Sequence, residues 1–430
     1  MKIFFQTLGC KVNQYESEAM LKLFTAAGYE LAAEISAADV VVVNTCTVTA
    51  VSSQKSRQMI RRAAGVNKNC VLVVVGCYAQ SEPEQIAKID GVDVIIGTKD
   101  RTRIVELVET VLKNRGEKIF QVGRVDDIHT FEELPHSPHR TRAFLKIEDG
   151  CNNFCAYCII PYVRGRVRSR SLESIRAESL ELKSAGYKEI VLTGIHIGAY
   201  GRDLREKISL VDAVNVVLDA ANPLRLRLGS IESVEMSDAL IEMLKNDSRL
   251  CNHVHLPLQS GSDEILRAMR RPYTTKNFSE LTARLVDEVP NISIGTDLIV
   301  GFPGETDELF AETLEFVRKQ PFSKIHVFPY SARAGTLAAS MPNQIPSQIK
   351  KARANLAVEL SRAKAEKFSE RLIGETVEII AETSTDGIVN GLTKNYVRIY
   401  VPDSGIELGA MIKVKVDKIF RDGVIGTAMT

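Results

Sequence analysis

The sequence predicts an α/β protein built from an N-terminal parallel-sheet domain, a central open (β/α)6 barrel and a small C-terminal antiparallel β-barrel. Three observations lead to this prediction. Apolar runs alternate with helical stretches in residues 1–122, a strand followed by a helix recurs six times within residues 143–365, and short alternating segments fill residues 371–430. A chain of 430 residues is also too long for one ordinary compact core.

Residues 1–122 are predicted to form the first domain. The segments KIFFQTLG, ADVVVVNT and CVLVVVG are apolar and rich in β-branched residues, which is typical of strands buried on both faces of a parallel sheet. YESEAMLKLFTAAG and SSQKSRQMIRRAA, which lie between them, have helical character. Residues 123–142 contain two prolines and many polar residues, so they are predicted to be a linker.

Residues 143–365 are predicted to form the barrel. The strand candidates are AFLKIEDG, EIVLTGI, LRLRLGSI, HVHLPLQSG, ISIGTDLIVGFP and KIHVFPYS. A complete barrel of this kind has about eight strands, so six indicate an open one with functional residues after the strands. Beyond a charged helical segment, TVEIIAET, YVRIYV, MIKVKVDKIF and GVIGTAM are separated by turn residues and predict the antiparallel β module of residues 371–430.

Composition and charge restrict the location and the partners. The chain has 55 basic and 54 acidic residues, so any contact with RNA must use local patches. No apolar run approaches the roughly 18 residues that cross a membrane, and the N-terminus turns polar at Gln6, too early for a signal peptide. We therefore expect a cytoplasmic protein with no membrane partner. Its eight cysteines would then be ligands, catalysts or core residues and not disulfides.

The strongest chemical signal is GCNNFCAYCIIP, which contains Cys151, Cys155 and Cys158. Three closely spaced thiolates after a barrel strand can hold three irons of a 4Fe-4S cluster and leave the fourth iron open. A structural zinc ion normally takes four protein ligands, and this loop has no fourth Cys or His. The neighbouring Gly150 and two asparagines indicate a loop, which disfavours the alternative of core cysteines.

The CxxxCxxC spacing, Tyr157 before the last cysteine and the six strand-helix units resemble the radical S-adenosylmethionine superfamily. The resemblance implies that the open iron binds S-adenosylmethionine and that cleavage of this cofactor gives a 5′-deoxyadenosyl radical, which can abstract hydrogen from an unactivated C–H bond. It also implies that one residue of the cysteine loop and four strand-end residues contact the cofactor. These are Tyr157, Gly194, Glu232, Gln259 and Asp297. Each has the alternative of serving only the fold.

Cys10, Cys46 and Cys77 each come directly after a predicted strand of the first domain. Ligands bind at that edge of open α/β sheets, so the three thiols are expected in one crevice. The alternative is chance, because cysteine is often buried next to apolar strands. Cys70 begins the strand that Cys77 follows, roughly 20 Å away, and Cys251 lies beside the fourth barrel strand, so both are predicted to be core thiols.

The segments TLGCKVNQYESE, NTCTVT and GCYAQ, together with the radical motif and the C-terminal module, resemble the methylthiotransferases over essentially the whole chain. The resemblance implies a second 4Fe-4S cluster on Cys10, Cys46 and Cys77 that carries or donates sulfur. One S-adenosylmethionine would give the radical that attacks C2–H of an adenine, and a second would supply the methyl group. The implied partners are transfer RNA and a one-electron donor such as a flavodoxin or ferredoxin, and a monomer is expected.

Lys11, Val12 and Asn13 carry the choice of substrate. TLGCKVNQYESE is most similar to the branch that acts on N6-threonylcarbamoyladenosine at position 37 of tRNA, giving its 2-methylthio derivative. The isopentenyladenosine branch is usually closer to TYGCQMN, and the branch that modifies a ribosomal-protein aspartate is closer to TLGCPKN. Those two substrates are alternatives. A non-catalytic iron-sulfur protein that binds RNA or senses redox state is an alternative from another class.

Two sets of residues are predicted to contact RNA. The segment RGRVRSR would present its side chains on one side of an extended chain and bind phosphates. Its members are Arg164, Arg166, Arg168 and Arg170. The C-terminal module resembles a TRAM domain and would add a basic and aromatic strip. Its members are Lys394, Tyr396 and Arg398. The alternatives are arginines paired within the protein and a module that only packs against the barrel.

Overall fold

A computed structural model describes residues 1–135 and 140–429 of the chain. Part of the predicted linker, residues 136–139, lies outside the described residues. The predicted limits of the parts, 1–122, 123–142, 143–365 and 371–430, remain predictions. No helix within the described ranges has the length and apolar character that a membrane span requires.

The N-terminal part is the predicted parallel sheet. Its elements are β1 (Lys2–Thr7), α1 (Lys11–Ala26), β2 (Glu30–Leu31), β3 (Val40–Thr45), α2 (Ala50–Val66), β4 (Val71–Gly76), α3 (Cys77–Ser81), α4 (Pro83–Ala87), β5 (Val94–Ile96), α5 (Ile104–Lys113) and β6 (Ile119–Gln121). The strand order is β2-β1-β3-β4-β5-β6, and every pair is parallel. All residues of β3 and β4 are buried, because helices cover both faces of the sheet.

The central part contains the six predicted strands. Its elements are β7 (Ala143–Lys146), β8 (Glu148–Asp149), α6 (Ile160–Arg164), β9 (Arg168–Ser169), α7 (Leu172–Ser184), β10 (Glu189–Thr193), α8 (Leu210–Ala221), β11 (Arg225–Arg227), α9 (Asp238–Asn246), β12 (His253–His255), α10 (Asp263–Ala268), α11 (Thr275–Glu288), β13 (Ser293–Val300), α12 (Asp307–Lys319), β14 (Phe322–Pro329) and α13 (Ser347–Glu370). The parallel sets β11-β10-β7 and β12-β13-β14 are joined by isolated bridges such as Ser230 to His255. Among the described residues no pairing joins β7 to β14, so the barrel is open as predicted.

The two faces of the barrel strands differ in character. Residues such as Leu145, Ile190 and Leu226 pack beneath the surrounding helices in one large apolar core. Side chains alternate between the faces of a strand, so the intervening residues face the barrel interior. These interior residues include Phe144, Lys146, Glu189, Val191, Arg227, His253, His255, Asp297 and His326. The interior is therefore polar and charged, in contrast to the apolar outer layer.

The C-terminal part is a closed five-stranded barrel with the order β15-β16-β17-β19-β18. Its strands are β15 (Thr376–Thr385), β16 (Ile388–Leu392), β17 (Arg398–Pro402), β18 (Met411–Phe420) and β19 (Gly423–Ala428). The pairs are antiparallel as predicted, with the exception of β17 and β19, which run parallel. Between β17 and β19 the chain passes through β18, which is antiparallel to β19, so β19 runs in the same direction as β17. The pairing of β17 with β19 closes the barrel.

The predicted linker takes part in packing between the first two parts. Leu134 is buried, Glu132 pairs with Arg101 at 2.7 Å, and Glu133 accepts a hydrogen bond from Arg170 at 3.0 Å. The segment therefore supplies carboxylates to buried arginines in addition to connecting two domains.

Candidate active site

The loop that follows β8 carries the first set of cysteines. Gly150 precedes Cys151 with φ of +89°, and a Cβ at this position would collide with the carbonyl oxygen of Arg166. Only glycine suits this backbone conformation and this close approach. The amide of Cys158 donates to the carbonyl of Cys155 at 3.0 Å, so a tight turn brings the last two cysteines together.

The three thiols lie in a partly buried environment, with Cys155 buried and the other two half-buried, and donors are directed at sulfur. Burial, together with the neighbouring cysteines, raises the pKa of the Cys151 and Cys158 thiols to about 12. Arg271 donates to Cys155 Sγ at 3.3 Å, and His196 Nδ1 lies 3.5 Å from Cys151 Sγ. Neighbouring thiolates in partly buried positions require positive charge nearby. Iron supplies that charge, so the donor set fits a 4Fe-4S cluster.

A single metal ion does not fit these residues. In the part of the chain that the structure describes, no three His, Cys, Asp or Glu side chains converge closely enough to hold one ion. Ligands of a zinc ion lie about 2.0–2.3 Å from the metal and therefore crowd together. The thiols of a cluster are spread around a larger group. This geometry counts against the zinc alternative for the three loop cysteines.

The second set of cysteines lies at the carboxyl edge of the N-terminal sheet. Cys10, Cys46 and Cys77 follow β1, β3 and β4, which are neighbours in the sheet. Gly76 has φ of +97°, and its Cβ would lie 2.5 Å from Asn44 Oδ1 and 2.7 Å from the Thr45 carbonyl oxygen. This contact fixes the turn into Cys77 against the turn into Cys46.

The same three thiols fit an auxiliary cluster. Burial raises the pKa of Cys77 to about 12, while the charge of Arg164 acts in the opposite direction. Cys46 and Cys10 are near enough to Cys77 to act on it electrostatically. Arg164 Nε donates to Cys77 Sγ at 3.2 Å, which is a contact suited to a thiolate ligand. The roles of all six cysteines as ligands remain predictions.

The remaining cysteines are apart from both sets. Cys70 and Cys251 are 5% and 1% exposed and pack in the interior, as expected of core thiols. All eight cysteines are free thiols.

Two of the predicted cofactor residues lie next to the cluster loop. Glu232 forms an ion pair with Arg271, the residue that donates to Cys155. Tyr157 lies near the same arginine. Burial keeps the pKa of Tyr157 well above its ordinary value, and the nearby cysteines and Glu232 act in the same direction, whereas the charge of Arg271 lowers this pKa. Arg271 was not among the residues predicted from the sequence, although it connects these predicted ones.

Of the other predicted cofactor residues, Gly194 and Gln259 follow their strands as expected, whereas Asp297 lies within β13. Gly194 has no room for a side chain, because its Cβ would lie 2.8 Å from Glu148 Oε2. Gln259 has φ of +69°, an uncommon conformation for a residue other than glycine. Asp297 lies 3.2 Å from His255 Nε2 in the barrel interior. Contact of any of these residues with S-adenosylmethionine remains a prediction.

Glu148 is a further candidate that the sequence did not reveal. It is fully buried before the cluster loop, and its Oε2 accepts from the amides of Ile195 at 2.9 Å and His196 at 2.6 Å. Its Oε1 has no hydrogen-bond partner among the residues that the structure describes. Burial raises the pKa of Glu148 well above its ordinary value. A buried acceptor with a free oxygen beside Gly194 can bind a donor group of a ligand.

A buried ion network connects the two sets of cysteines. Glu16 of α1 contacts Arg101, Lys146 at 3.0 Å and Arg164 at 2.9 Å. Asp149 lies 2.6 Å from Lys146 and 3.1 Å from Arg164. All five side chains are at most 3% exposed. Arg164 therefore reaches Cys77 on one side and Asp149, two residues before Cys151, on the other.

The prediction that four alternating arginines bind RNA is wrong for three of them. Arg164, Arg168 and Arg170 are 1%, 3% and 5% exposed, so they cannot reach phosphates. Arg168 donates to the carbonyls of Arg164 and Arg166, and Arg170 pairs with Glu178 and Glu133. Internal pairing, which was the alternative, explains them. Only Arg166 of the four is exposed, and its contact with RNA remains a prediction.

The predicted strip on the C-terminal barrel faces largely toward the central part. The Tyr396 ring stacks on His253 with centroids 4.4 Å apart and lies beneath Arg227. Lys394 donates to the Ser248 carbonyl at 2.8 Å. Tyr396 therefore serves packing between the two barrels. Lys394 and Arg398 are half-buried, and their contact with RNA remains a prediction.

Comparison with known proteins is consistent with this architecture. Residues 2–97 match Uncharacterized protein family UPF0004, and residues 145–317 match the Radical SAM superfamily. A solved radical S-adenosylmethionine methyltransferase, TsrM from Kitasatospora setae with cobalamin and a [4Fe-4S] cluster bound, is similar with a TM-score of 0.57. It shares 14% identity, over 90% of this chain and 80% of that one, so this similarity concerns the fold alone.

Curated relatives are similar over nearly the whole length. Threonylcarbamoyladenosine tRNA methylthiotransferase MtaB of Bacillus subtilis is 42% identical over 97% of this chain and 94% of its own. The protein of the same name from Aquifex aeolicus is 36% identical over 96% of this chain and 100% of its own. A tRNA-2-methylthio-N(6)-dimethylallyladenosine synthase of Clostridium tetani is 34% identical over 96% and 93%. With both sets of cysteines in the expected places, the chain belongs to the radical S-adenosylmethionine methylthiotransferase family.

Proposed function

We propose that this protein adds a methylthio group to C2 of N6-threonylcarbamoyladenosine at position 37 of transfer RNA. The observation that carries the proposal is the presence of two three-cysteine sites in one molecule, at the ends of the N-terminal sheet and of the first barrel strand, with Arg164 in contact with both surroundings. The relatives named for threonylcarbamoyladenosine, at 42% and 36% identity, support this choice of substrate.

The first site would act on S-adenosylmethionine. Cys151, Cys155 and Cys158 would hold a 4Fe-4S cluster, and Arg271 would donate to Cys155 as a thiolate ligand. When bound, the cluster and the cofactor supply the 5′-deoxyadenosyl radical that removes hydrogen from the adenine. The residues proposed to position the cofactor are Tyr157, Gly194, Glu232, Gln259 and Asp297. Buried surroundings would keep water from the radical.

The second site would supply the sulfur. Cys10, Cys46 and Cys77 would hold the auxiliary 4Fe-4S cluster, and Arg164 would stabilise the negative charge on Cys77. The buried network of Glu16, Lys146 and Arg164 would hold this site at a fixed distance from the first one. Such rigidity places both reacting groups on the same base.

A second substrate has a specific observation in its favour. Relatives named for dimethylallyladenosine are also similar over nearly the full length, at 34% identity for the Clostridium tetani protein. Modification of a ribosomal-protein aspartate is a further candidate. A non-catalytic iron-sulfur protein that binds RNA or senses redox state needs no cofactor-binding barrel and is the least favoured.

The proposed partners follow from the reaction. Transfer RNA is the substrate, and a one-electron donor such as a flavodoxin or ferredoxin reduces the cluster in a monomeric enzyme of the cytoplasm.

The test is mass spectrometry of tRNA nucleosides from cells with and without the gene. Loss of the methylthio form of threonylcarbamoyladenosine, with accumulation of the parent, is expected. If only the dimethylallyl species changes, the substrate is the second candidate. If no tRNA nucleoside changes, the ribosomal protein becomes the substrate to examine. Purified enzyme should form 5′-deoxyadenosine, and replacing Cys151 with Ala should abolish it, whereas Cys77→Ala should spare cofactor cleavage and stop sulfur insertion.

A further inference from the structure

Lys11 is positioned to act inside the barrel. It is the first residue of α1 and directly follows Cys10. One helical turn later, Tyr15 packs against Phe144 and Val191, two residues of the interior face. Residues four apart lie on the same side of a helix, so Lys11 and Tyr15 both extend toward the barrel interior.

The surroundings of Lys11 carry an excess of positive charge. Arg142, Arg227 and Glu189 are near enough to act on it electrostatically, as is the Tyr396 phenol. Glu189 already pairs with Arg227 at 2.8 Å and with Arg142 at 3.4 Å, and it lies 3.8 Å from Arg225. The other carboxylate, Glu382, pairs with Arg142 at 2.6 Å. Both of these carboxylates are therefore already engaged by arginine.

Lys11 itself has no such partner. Within the described residues no hydrogen bond or ion pair engages its ammonium group. A half-buried cation whose neighbouring carboxylate, Glu189, is already paired favours an anionic ligand.

The strand β14, at the open side of the barrel, carries exposed residues on its interior face. On β14, Lys324 and His326 are exposed, and Phe328 is 43% exposed. A nucleotide base extended from RNA would therefore meet, at this edge of the barrel, an aromatic ring that is available for stacking.

The proposed substrate carries the matching charge. In a threonylcarbamoyl group the threonine nitrogen is joined to N6 of adenine through a carbonyl, so the α-carboxylate is free. A dimethylallyl group has no charge. We propose, on the basis of the function proposed above, that Lys11 binds the carboxylate of the threonylcarbamoyl group and so selects this nucleoside. Its position next to Cys10 places this contact beside the proposed sulfur-donating site.

The test uses the cluster-loaded enzyme and two anticodon stem-loops. One carries threonylcarbamoyladenosine, and the other carries its methyl ester, which is neutral and of nearly the same shape. The wild-type enzyme should bind the acid about 10-fold to 100-fold more tightly than the ester, because a hydrogen-bonded charge pair is lost in the ester. Lys11→Gln should bind both within about twofold, and Lys11→Arg should keep the preference for the acid.

The matched control is Lys22→Gln, an exposed position on the same helix, which should keep the wild-type preference. Iron content and melting temperature are measured for each variant. The ratio of the wild-type enzyme's affinities for the acid and the ester is measured without any variant. The proposal therefore stays testable if Lys11→Gln fails to load its clusters. Equal binding of acid and ester by the wild type, or an undiminished preference in a loaded Lys11→Gln enzyme, overturns it. Failure of the wild type to modify threonylcarbamoyladenosine tRNA at all would instead refute the proposed function.

Discussion

Replacing Glu16 with Gln tests the buried ion network by removing one negative charge at nearly constant volume. Glu16 is fully buried and contacts Arg101, Lys146 and Arg164. Burial opposes its ionisation, but these three cations hold the pKa of Glu16 far below its ordinary value. The amide of the substituted glutamine would direct its NH2 group at the N–H donors of the three cations. The cations would also lose one of the negative charges that neutralise them.

The expected loss of stability is large for a single substitution. Removing one member of a buried ion pair costs about 3–5 kcal/mol, because the remaining charges stay buried without compensation. For a domain of the size of the N-terminal part, such a loss of stability lowers the melting temperature by on the order of 10 °C. Since the network joins α1 to the barrel, we expect the N-terminal part to separate from the barrel and unfold first.

The measurement is differential scanning calorimetry, combined with limited proteolysis to identify the part that unfolds. The matched control is Glu106→Gln, which removes an exposed carboxylate paired with Arg103 in the same part of the chain and should leave the melting temperature unchanged. A melting temperature for Glu16→Gln within about 1 °C of the wild type would refute the view that this network holds the two parts together.

The remaining predictions concern the turn into Cys77, the effect of pH and the RNA surface. Gly76→Ala should lower the iron bound per protein by about half, because the added Cβ would collide with Asn44 and Thr45. The control Gly28→Ala, also at positive φ but with open space around it, should keep its iron. Equal iron contents in the two variants would contradict the role of Gly76. Because the folded-state pKa of Glu16 is depressed, the stability difference between wild type and Glu16→Gln should be complete above about pH 5 and shrink as the pH falls below about 4, which melting curves across this range would show. Arg166→Ala should weaken tRNA binding and reduce the salt slope by about one, in contrast to the exposed Arg318→Ala, and an unchanged slope would remove Arg166 from the RNA surface.

The strands and both sets of cysteines were predictable because their signals are local. Continuous apolar runs such as Val40–Val43 allow few structures other than a buried strand, and a cysteine after each strand follows directly from that assignment. The spacing of the barrel-loop cysteines is likewise contained in a single short segment.

The fate of the arginines was not predictable because it depends on distant partners. The alternation in RGRVRSR is the same whether the side chains meet phosphates or carboxylates. Arg164 is paired with Glu16, which lies 148 positions away in the sequence, and its contact Cys77 is 87 positions away. Arg271 also reaches Cys155 only through the fold, across 116 positions. The sequence shows which charges are present, and tertiary structure decides which of them are neutralised.

The beginning of α1 restricts how this segment can change in evolution. Cys10, Lys11 and Glu16 belong to its cap and first turns, and they point toward the sheet edge, the barrel interior and the ion network. Each residue of an α-helix advances the direction of its side chain by about 100°. A single residue inserted after Cys10 would therefore turn every later side chain to the wrong neighbour. Replacing the residue at position 11 leaves the direction of every other side chain unchanged, so substrate preference can diverge here by substitution, whereas such an insertion would disrupt the contacts of Lys11 and Glu16 together.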